Sequence, residues 1–556
     1  MEKNEKVTVD VLDIGQDGEG IGRISVGPDA GFTVFVKDTV PGDQAEVLLV
    51  KVKKRFAYGR LIRVIHPSSD RQEAACPMAR QCGGCQLQAM KPEAQAAMKM
   101  KKVTDDLERI GGFENAASLV RPIRVPEKLY RYRNKTIYPI AEGKDGRPTA
   151  GFFAGRTHSV IPCEDCLLAP EENKIIRHEV LGWMEDHHIR AFDERTGKGL
   201  VRHLMIRKGF ATGEILVCLV INGHKIPAQD DLVQRLRQVP GMTGITYSSN
   251  TERTNVVLTG NTEVLWGRGY VTDILRPPLD GTEVMYHISP RSFYQVNHDM
   301  TERLYQEVLE DAGLTGQETV MDLYCGIGTI SLFLARKAER VIGVEIVPEA
   351  VRDARQNAEL NGIGNAEFFA GRAEEVVPRL YRERRIHADV VVVDPPRKGC
   401  DRTLLDTIIR MNPEKAVYVS CDPATLARDL RILADGGFQV KKVQPYENFF
   451  GTVHVETVCL LSQRKPDTTI EVDLDISELE VSSAETKATY EEIKSYVLEK
   501  FGLKVSNLYI AQVKRECGIV ERINYNLPKT EGNRVPQCPE DKRKAIKDAF
   551  IHFQMI

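Results

Sequence analysis

The chain has 556 residues, 42 % of them hydrophobic, and a formal net charge of -3. At roughly 100–200 residues per domain, this length implies about three to four domains. The near-neutral charge excludes nucleic-acid binding through bulk charge, so any such footprint is local. No run of roughly 18 apolar residues is present, which excludes a membrane-spanning helix. The polar start MEKNEKVTVD carries no signal core. The chain is therefore expected to be soluble and cytoplasmic. In that compartment its twelve cysteines read as metal ligands, a reactive thiol and small buried hydrophobes, not as disulfides.

Residues 1–66 are rich in Val and Ile. Thr33–Val36, Ala45–Val50 and Gly59–Val64 read as short strands, with turn signals at Gln16-Asp17-Gly18 and Pro41-Gly42-Asp43. This spacing predicts a small β-barrel. Lys51, Lys53, Lys54, Arg55, Arg60 and Arg63 interleave with Phe56 and Tyr58. Charge combined with aromatic faces is how a barrel surface binds RNA; a lysine-guarded sheet edge is the bland alternative.

Residues 67–284 read as a mixed α+β region. It holds a cysteine cluster, a helix over Pro92–Ile110 and strands such as Glu214–Val220 and Thr254–Thr259. Arg121, Arg124, Lys128, Arg131, Arg133 and Lys135 with Tyr130, Tyr132 and Tyr138 form a second basic-aromatic run. From 285 to 465 apolar strands alternate with helices. The strands are Thr319–Tyr324, Arg340–Ile346, Ala388–Val393, Lys415–Ser420 and Thr457–Leu461; the helices are Ser331–Lys337, Pro348–Leu360 and Ala424–Ala434. That alternation predicts a doubly wound, Rossmann-like α/β sheet with ligands at the carboxyl ends of its strands. Residues 466–556 open with an acidic run, Asp467 to Glu485, that has no Lys or Arg. A compact tail follows, with a helix at Tyr490–Phe501, and reads as an interaction module without chemistry of its own.

The run Asp322-Leu323-Tyr324-Cys325-Gly326-Ile327-Gly328 ends one strand and opens a helix. Its glycines allow a sharp turn and close approach to a ligand, while the third glycine of a dinucleotide loop is missing. Glu345 ends the next strand, about twenty residues on, where an acid can accept both ribose hydroxyls. Together these favour an adenosyl ligand. Asp394-Pro395-Pro396-Arg397 ends a third strand beside the same crevice. This run resembles the fourth motif of methyltransferases, which in amino-methylating members usually ends in a base-stacking aromatic residue; Arg397 stands there instead, which argues against exocyclic-amine chemistry. Ser420-Cys421-Asp422-Pro423 ends the next strand at a helix N-terminus. Helix amides lower a thiol pKa, so Cys421 is expected to be shifted toward neutrality. His454 and Glu456, two apart before the last strand, are expected to face one side.

With Gln295-Val296-Asn297 and His454-Val455-Glu456-Thr457, this set resembles the RNA uracil-C5 methyltransferase family, most of all its bacterial 23S rRNA members. The resemblance runs to about residue 465 and includes the barrel, which looks like a TRAM domain. It implies S-adenosylmethionine-dependent methylation of C5 of a uridine, with Cys421 as covalent nucleophile and Glu456 as base. It further implies that Gln295, Tyr324, Glu345 and Asp394 bind the cofactor. Thr329 and Arg372 fall where some relatives carry Asn at cofactor positions. The partner implied is 23S rRNA, with a tRNA T-loop as alternative, and the enzyme is expected to be a monomer. A noncatalytic RNA-binding protein and an iron–sulfur electron carrier are the readings from other classes.

Cys76-x5-Cys82-Gly83-Gly84-Cys85 places three thiols in a short glycine-bearing loop. With Cys163-x2-Cys166 it suits zinc and equally an iron–sulfur cluster. The resemblance implies a [4Fe-4S] cluster on Cys76, Cys82, Cys85 and Cys166, with Cys163 as rival for the fourth position. Its role is expected to be structural or RNA-positioning, because methyl transfer needs no electron.

Overall fold

In the computed structural model, alternate residues of Gln44–Val52 are buried, the mark of a strand with one face in a core. With Lys6–Ile14, Gly20–Ile24, Thr33–Val36 and Phe56–His66 it closes a five-stranded barrel around Val9, Val34, Val36, Val47 and Leu49. The opposite phase turns Phe35, Phe56 and Tyr58 outward, with ring centroids 5.4 to 5.7 Å apart. The structure describes residues 1–278, 281–383, 385–464, 490–517, 538–553 and 555. The chain divides into two units, Met1–Lys465 and Pro466–Ile556.

After the barrel come the cysteine loop and the helix Pro92–Arg109, then a seven-stranded sheet built from segments between Lys135 and Gly267. The helices Glu172–Asp186 and Gln229–Leu236 cover one face through Trp183 and Leu232. Ile215–Ile221 is its wholly buried strand, as its unbroken apolar run predicts. Thr254–Thr259 is not a strand; the edge strand is Thr262–Gly267. Asn250 Nδ2 donates to the carbonyls of Val256 and Val257, so a side chain holds that backbone as a loop despite its β-branched residues.

The second basic-aromatic run also departs from expectation. Tyr132 and Tyr138 are core residues at 5 % and 2 % exposure. Arg131 is locked to Asp165 by two hydrogen bonds, 2.6 and 2.7 Å. The run therefore does not make one continuous surface.

A hairpin, Val271–Leu275 with Val284–Ile288, leads into the second seven-stranded sheet. Its chain-order strands are Thr319–Leu323, Arg340–Glu345, Ala366–Ala370, Val390–Val393, Lys415–Ser420, Phe438–Tyr446 and Glu456–Gln463. Their spatial order is third, second, first, fourth, fifth, seventh, sixth. The first five are parallel, and the seventh pairs antiparallel with both neighbours. Buried cores lie on both faces. The strand order reverses between Thr319–Leu323 and Val390–Val393, the switch point where such sheets bind ligands.

In the C-terminal unit the helices Tyr490–Phe501, Asn507–Glu516 and Glu540–His552 pack around Ile493, Val497, Ile510 and Phe550. The acidic run before them lies outside the described residues. No helix among the described residues is long and apolar enough to cross a membrane.

Candidate active site

A cavity of about 1230 Å³ opens at the carboxyl ends of the second sheet, and Gln295, Tyr324, Glu345, Asp394, Cys421 and Glu456 all line it. Sheet register brings them together. Leu323 pairs with both Val344 and Val393, so the loops carrying Tyr324, Glu345 and Asp394 leave side by side. Ser420 pairs with Thr457 in the antiparallel step, which sets Cys421 beside Glu456 although they lie far apart in sequence.

The loop after the first strand is built for a ligand. Tyr324 holds a left-handed φ of 66°, a strained state for a bulky residue and one that clusters at functional sites. Gly326 has φ +57° and a Cβ there would meet nothing within 4 Å, so its backbone borders open cavity. The Gly326 amide donates to Glu345 Oε2 at 3.1 Å and the Val347 amide to Oε1 at 2.8 Å. Glu345 is thereby oriented while still facing the cavity. A strained turn, a bare backbone and an oriented acid fit an adenosyl ligand. Arg372 also lines the cavity; Thr329 does not.

Helix Pro423–Asp435 starts just after Cys421, capped by Asp422, whose Oδ1 accepts from the Ala424 and Thr425 amides. The expected acidic thiol is nevertheless overturned. Burial, then the Glu456 and Asp394 charges, push Cys421 up to about 12, against which Arg397 pulls it down. The helix end is outweighed because its amides are already satisfied by Asp422, while two carboxylates face the sulfur. Burial and then Asp394 hold Glu456 well above the usual carboxylate range, and its Oε2 has no partner among the described atoms. Burial pushes Asp394 up to about 7.

His454 precedes the last strand, which begins at Glu456, yet both line the cavity. His454 Nε2 lies 3.3 Å from Arg397 Nη2, and burial, then Arg397, lower its pKa to about 4. It stays neutral beside the guanidinium. Arg133 and Phe293 also line the cavity and were not singled out for chemistry in the sequence. Phe293 is 65 % exposed; its place two residues before Gln295 was the available signal.

Below the cavity, Asp322 is buried with Ser331 donating to Oδ2, and burial pushes it up to about 7. A carboxyl whose folded pKa is raised stabilises the fold fully below its unfolded value near 3.8. That contribution is lost as pH rises through about 7. The ligand-free protein should thus lose melting temperature between about pH 4 and pH 7, and Asp322→Asn should flatten the slope. Differential scanning fluorimetry of the two proteins checks this; parallel curves would refute it.

The five cysteines of the two clusters gather next to the cavity. Gly83, Gly84 and Gln86 line it, and Cys85 and Cys166 pack on Tyr132, Leu168 and Phe450. Burial first, and neighbouring thiols after it, raise the pKa of Cys82, Cys85, Cys163 and Cys166. The Gly84 amide donates to Cys82 Sγ at 3.3 Å, and the Leu168 and Ala169 amides donate to Cys166. Among the described residues no three His, Cys, Asp or Glu side chains stand together to hold one metal ion. A tetrahedral zinc site would need sulfurs about 3.8 Å apart, so the zinc alternative fits poorly.

Fold and cleft define a class I S-adenosylmethionine-dependent methyltransferase with an N-terminal TRAM barrel. Residues 2–62 match the TRAM domain and residues 251–464 the tRNA (Uracil-5-)-methyltransferase family. An RNA methyltransferase of Halalkalibacterium halodurans is 45 % identical over 460 residues, 83 % of this chain and 97 % of the relative. One from Clostridium tetani is 42 % identical over 463 residues, again 83 % and 97 %. The crystal structure of Pyrococcus abyssi tRNA (uracil-54, C5)-methyltransferase with S-adenosyl-L-homocysteine superposes with TM-score 0.63. It is 26 % identical, covering 82 % of this chain and all of that one. The chain belongs to the RNA uracil-C5 methyltransferase family.

Proposed function

We propose that this protein methylates C5 of a uridine in 23S rRNA through a covalent bond between Cys421 and C6 of the base. The observation that carries the reading is the meeting of Cys421 and Glu456, by register, in one cavity with Tyr324, Glu345 and Asp394. C5 of uracil is a poor nucleophile until a thiolate adds at C6 and moves electron density onto C5.

Bound S-adenosylmethionine supplies an electrophilic methyl group and a positive charge. Gln295, Tyr324, Glu345 and Asp394 hold it at the switch point. Arg397 favours the thiolate of Cys421, which a second positive charge in the cavity reinforces. Cys421 Sγ bonds to C6, and the C5–methyl bond forms as the sulfonium–methyl bond breaks. Glu456 then removes the C5 proton, the C5–C6 double bond returns and the thiolate departs. The base reaches this depth only after leaving its stack, and exposed Phe293 at the rim offers it a π face.

We assign Cys76, Cys82, Cys85 and Cys166 to a [4Fe-4S] cluster, which spaces its thiolates more widely than one ion does. Amide donors to Cys82 and Cys166 favour their thiolates, whereas burial and the neighbouring thiols dominate at Cys163. Protein purified without oxygen should carry about four irons per chain. Cys166→Ser should lose iron and Cys163→Ser retain it, read by iron assay and visible absorbance; the opposite pattern would exchange the two.

The exposed lysines and arginines of the barrel, with Phe35, Phe56 and Tyr58, suit RNA, and the protein is read as a cytoplasmic monomer. The tRNA T-loop is the second reading, favoured by likeness to the Pyrococcus enzyme. Incubation with 5-fluorouridine-substituted rRNA or tRNA and S-adenosylmethionine separates them. Fluorine cannot leave as a proton, so the adduct stalls. A denaturation-stable adduct at Cys421 with rRNA supports the proposal, one with tRNA alone moves the substrate, and none with either defeats it.

A further inference from the structure

The segment Glu447–Thr452 leads into Glu456, and its Phe449 and Thr452 line the cavity. It is tethered to the helix Pro92–Arg109, more than 300 residues away in sequence. Gln95 and Lys99 lie one helical turn apart on one face, both fully buried. Lys99 pairs with Glu447, itself 2 % exposed, and donates to the Phe449 carbonyl at 3.2 Å. Gln95 Oε1 accepts from the Gly451 amide at 3.0 Å, and its Nε2 donates to the Leu87 and Met90 carbonyls. The Gln86 and Leu87 amides close the set on the Gly451 carbonyl, each at 2.9 Å.

Between the tethered residues sits Asn448, 1 % exposed. Its Nδ2 donates to Gln295 Oε1 at 3.4 Å, and its carbonyl accepts from Asn297 Nδ2 at 3.2 Å. With Oε1 engaged, the Gln295 amide nitrogen is left as the group for the cavity that Gln295 lines. A buried ion pair adds little net stability, because desolvation offsets the attraction. What Lys99 supplies that an apolar residue would not is direction: one ammonium fixes the Glu447 carboxylate and the Phe449 carbonyl, on either side of Asn448.

Resting on the proposed methyl transfer, we infer that Lys99 and Glu447 are a positioning pair that holds Asn448 so that Gln295 presents its amide nitrogen to the cofactor. The test compares wild type, Lys99→Met, Lys99→Met/Glu447→Gln and Asn448→Ala. Three quantities are read: melting temperature, S-adenosylhomocysteine affinity by calorimetry, and kcat/KM for S-adenosylmethionine with the RNA that wild type methylates. Lys99→Met strands a buried carboxylate and lowers the melting temperature. The double variant removes both charges and recovers it, while its affinity and kcat/KM stay roughly ten- to a hundred-fold low. Asn448→Ala shows the same deficit with the ion pair intact. A double variant that recovers binding and turnover along with stability overturns the inference, as does an Asn448→Ala protein of wild-type affinity. Should Lys99→Met fail to fold, the other two variants still decide. Calorimetry needs no RNA, so a wild type inactive on uridine would defeat the proposed function alone.

Discussion

Cys421→Ala is expected to lower methyl transfer to RNA by on the order of 10⁵-fold, the scale of deleting a covalent nucleophile. The substitution removes one sulfur from a half-buried site at the end of Lys415–Ser420 and leaves the Asp422 cap intact. Affinity for S-adenosylhomocysteine should therefore stay within about two-fold of wild type. No adduct should form with 5-fluorouridine RNA. Tritiated-methyl incorporation gives the rate and calorimetry the affinity. Turnover within about ten-fold of wild type would refute a covalent mechanism at this residue and return the chain to the class of methyltransferases that bind the base without bonding to it.

Glu456→Gln separates bond formation from bond release. Without a carboxylate the C5 proton has no acceptor, so turnover should fall about 10²–10⁴-fold. Methylated RNA should remain bonded to Cys421 and survive denaturation. At alkaline pH, where the raised Glu456 carboxyl has ionised, the same change should make the thiol more acidic, because the Glu456 charge is then the largest cause after burial of the raised Cys421 pKa. Iodoacetamide should thus modify Cys421 faster in the ligand-free variant than in wild type at equal pH. An adduct-free variant, or one alkylated more slowly, would show that Glu456 neither accepts the proton nor bears on the thiol.

The parts legible in the chain were those governed by local periodicity. Lys415–Ser420 and Pro348–Leu360 read as they stand in the structure, because a strand buried on both faces and a helix opened by proline leave unambiguous patterns. The same holds for the glycine turn at Gly326. Thr254–Thr259 misread because the side chain of nearby Asn250 takes the Val256 and Val257 carbonyls. The run from Arg121 to Tyr138 misread as a surface because composition does not tell which ring faces a core.

Residue types and their order along the strands were enough to name a thiol, an acid and a crevice, since strand ends in a doubly wound sheet converge by topology. They could not give the state of that thiol. A pKa follows from what lies within a few ångströms, and Asp394 and Glu456 reach Cys421 only through strand pairing in the sheet. A far longer separation in sequence hides Lys99 beneath Glu447: a buried charge has no pattern in its own helix that names its partner, and only packing supplies one.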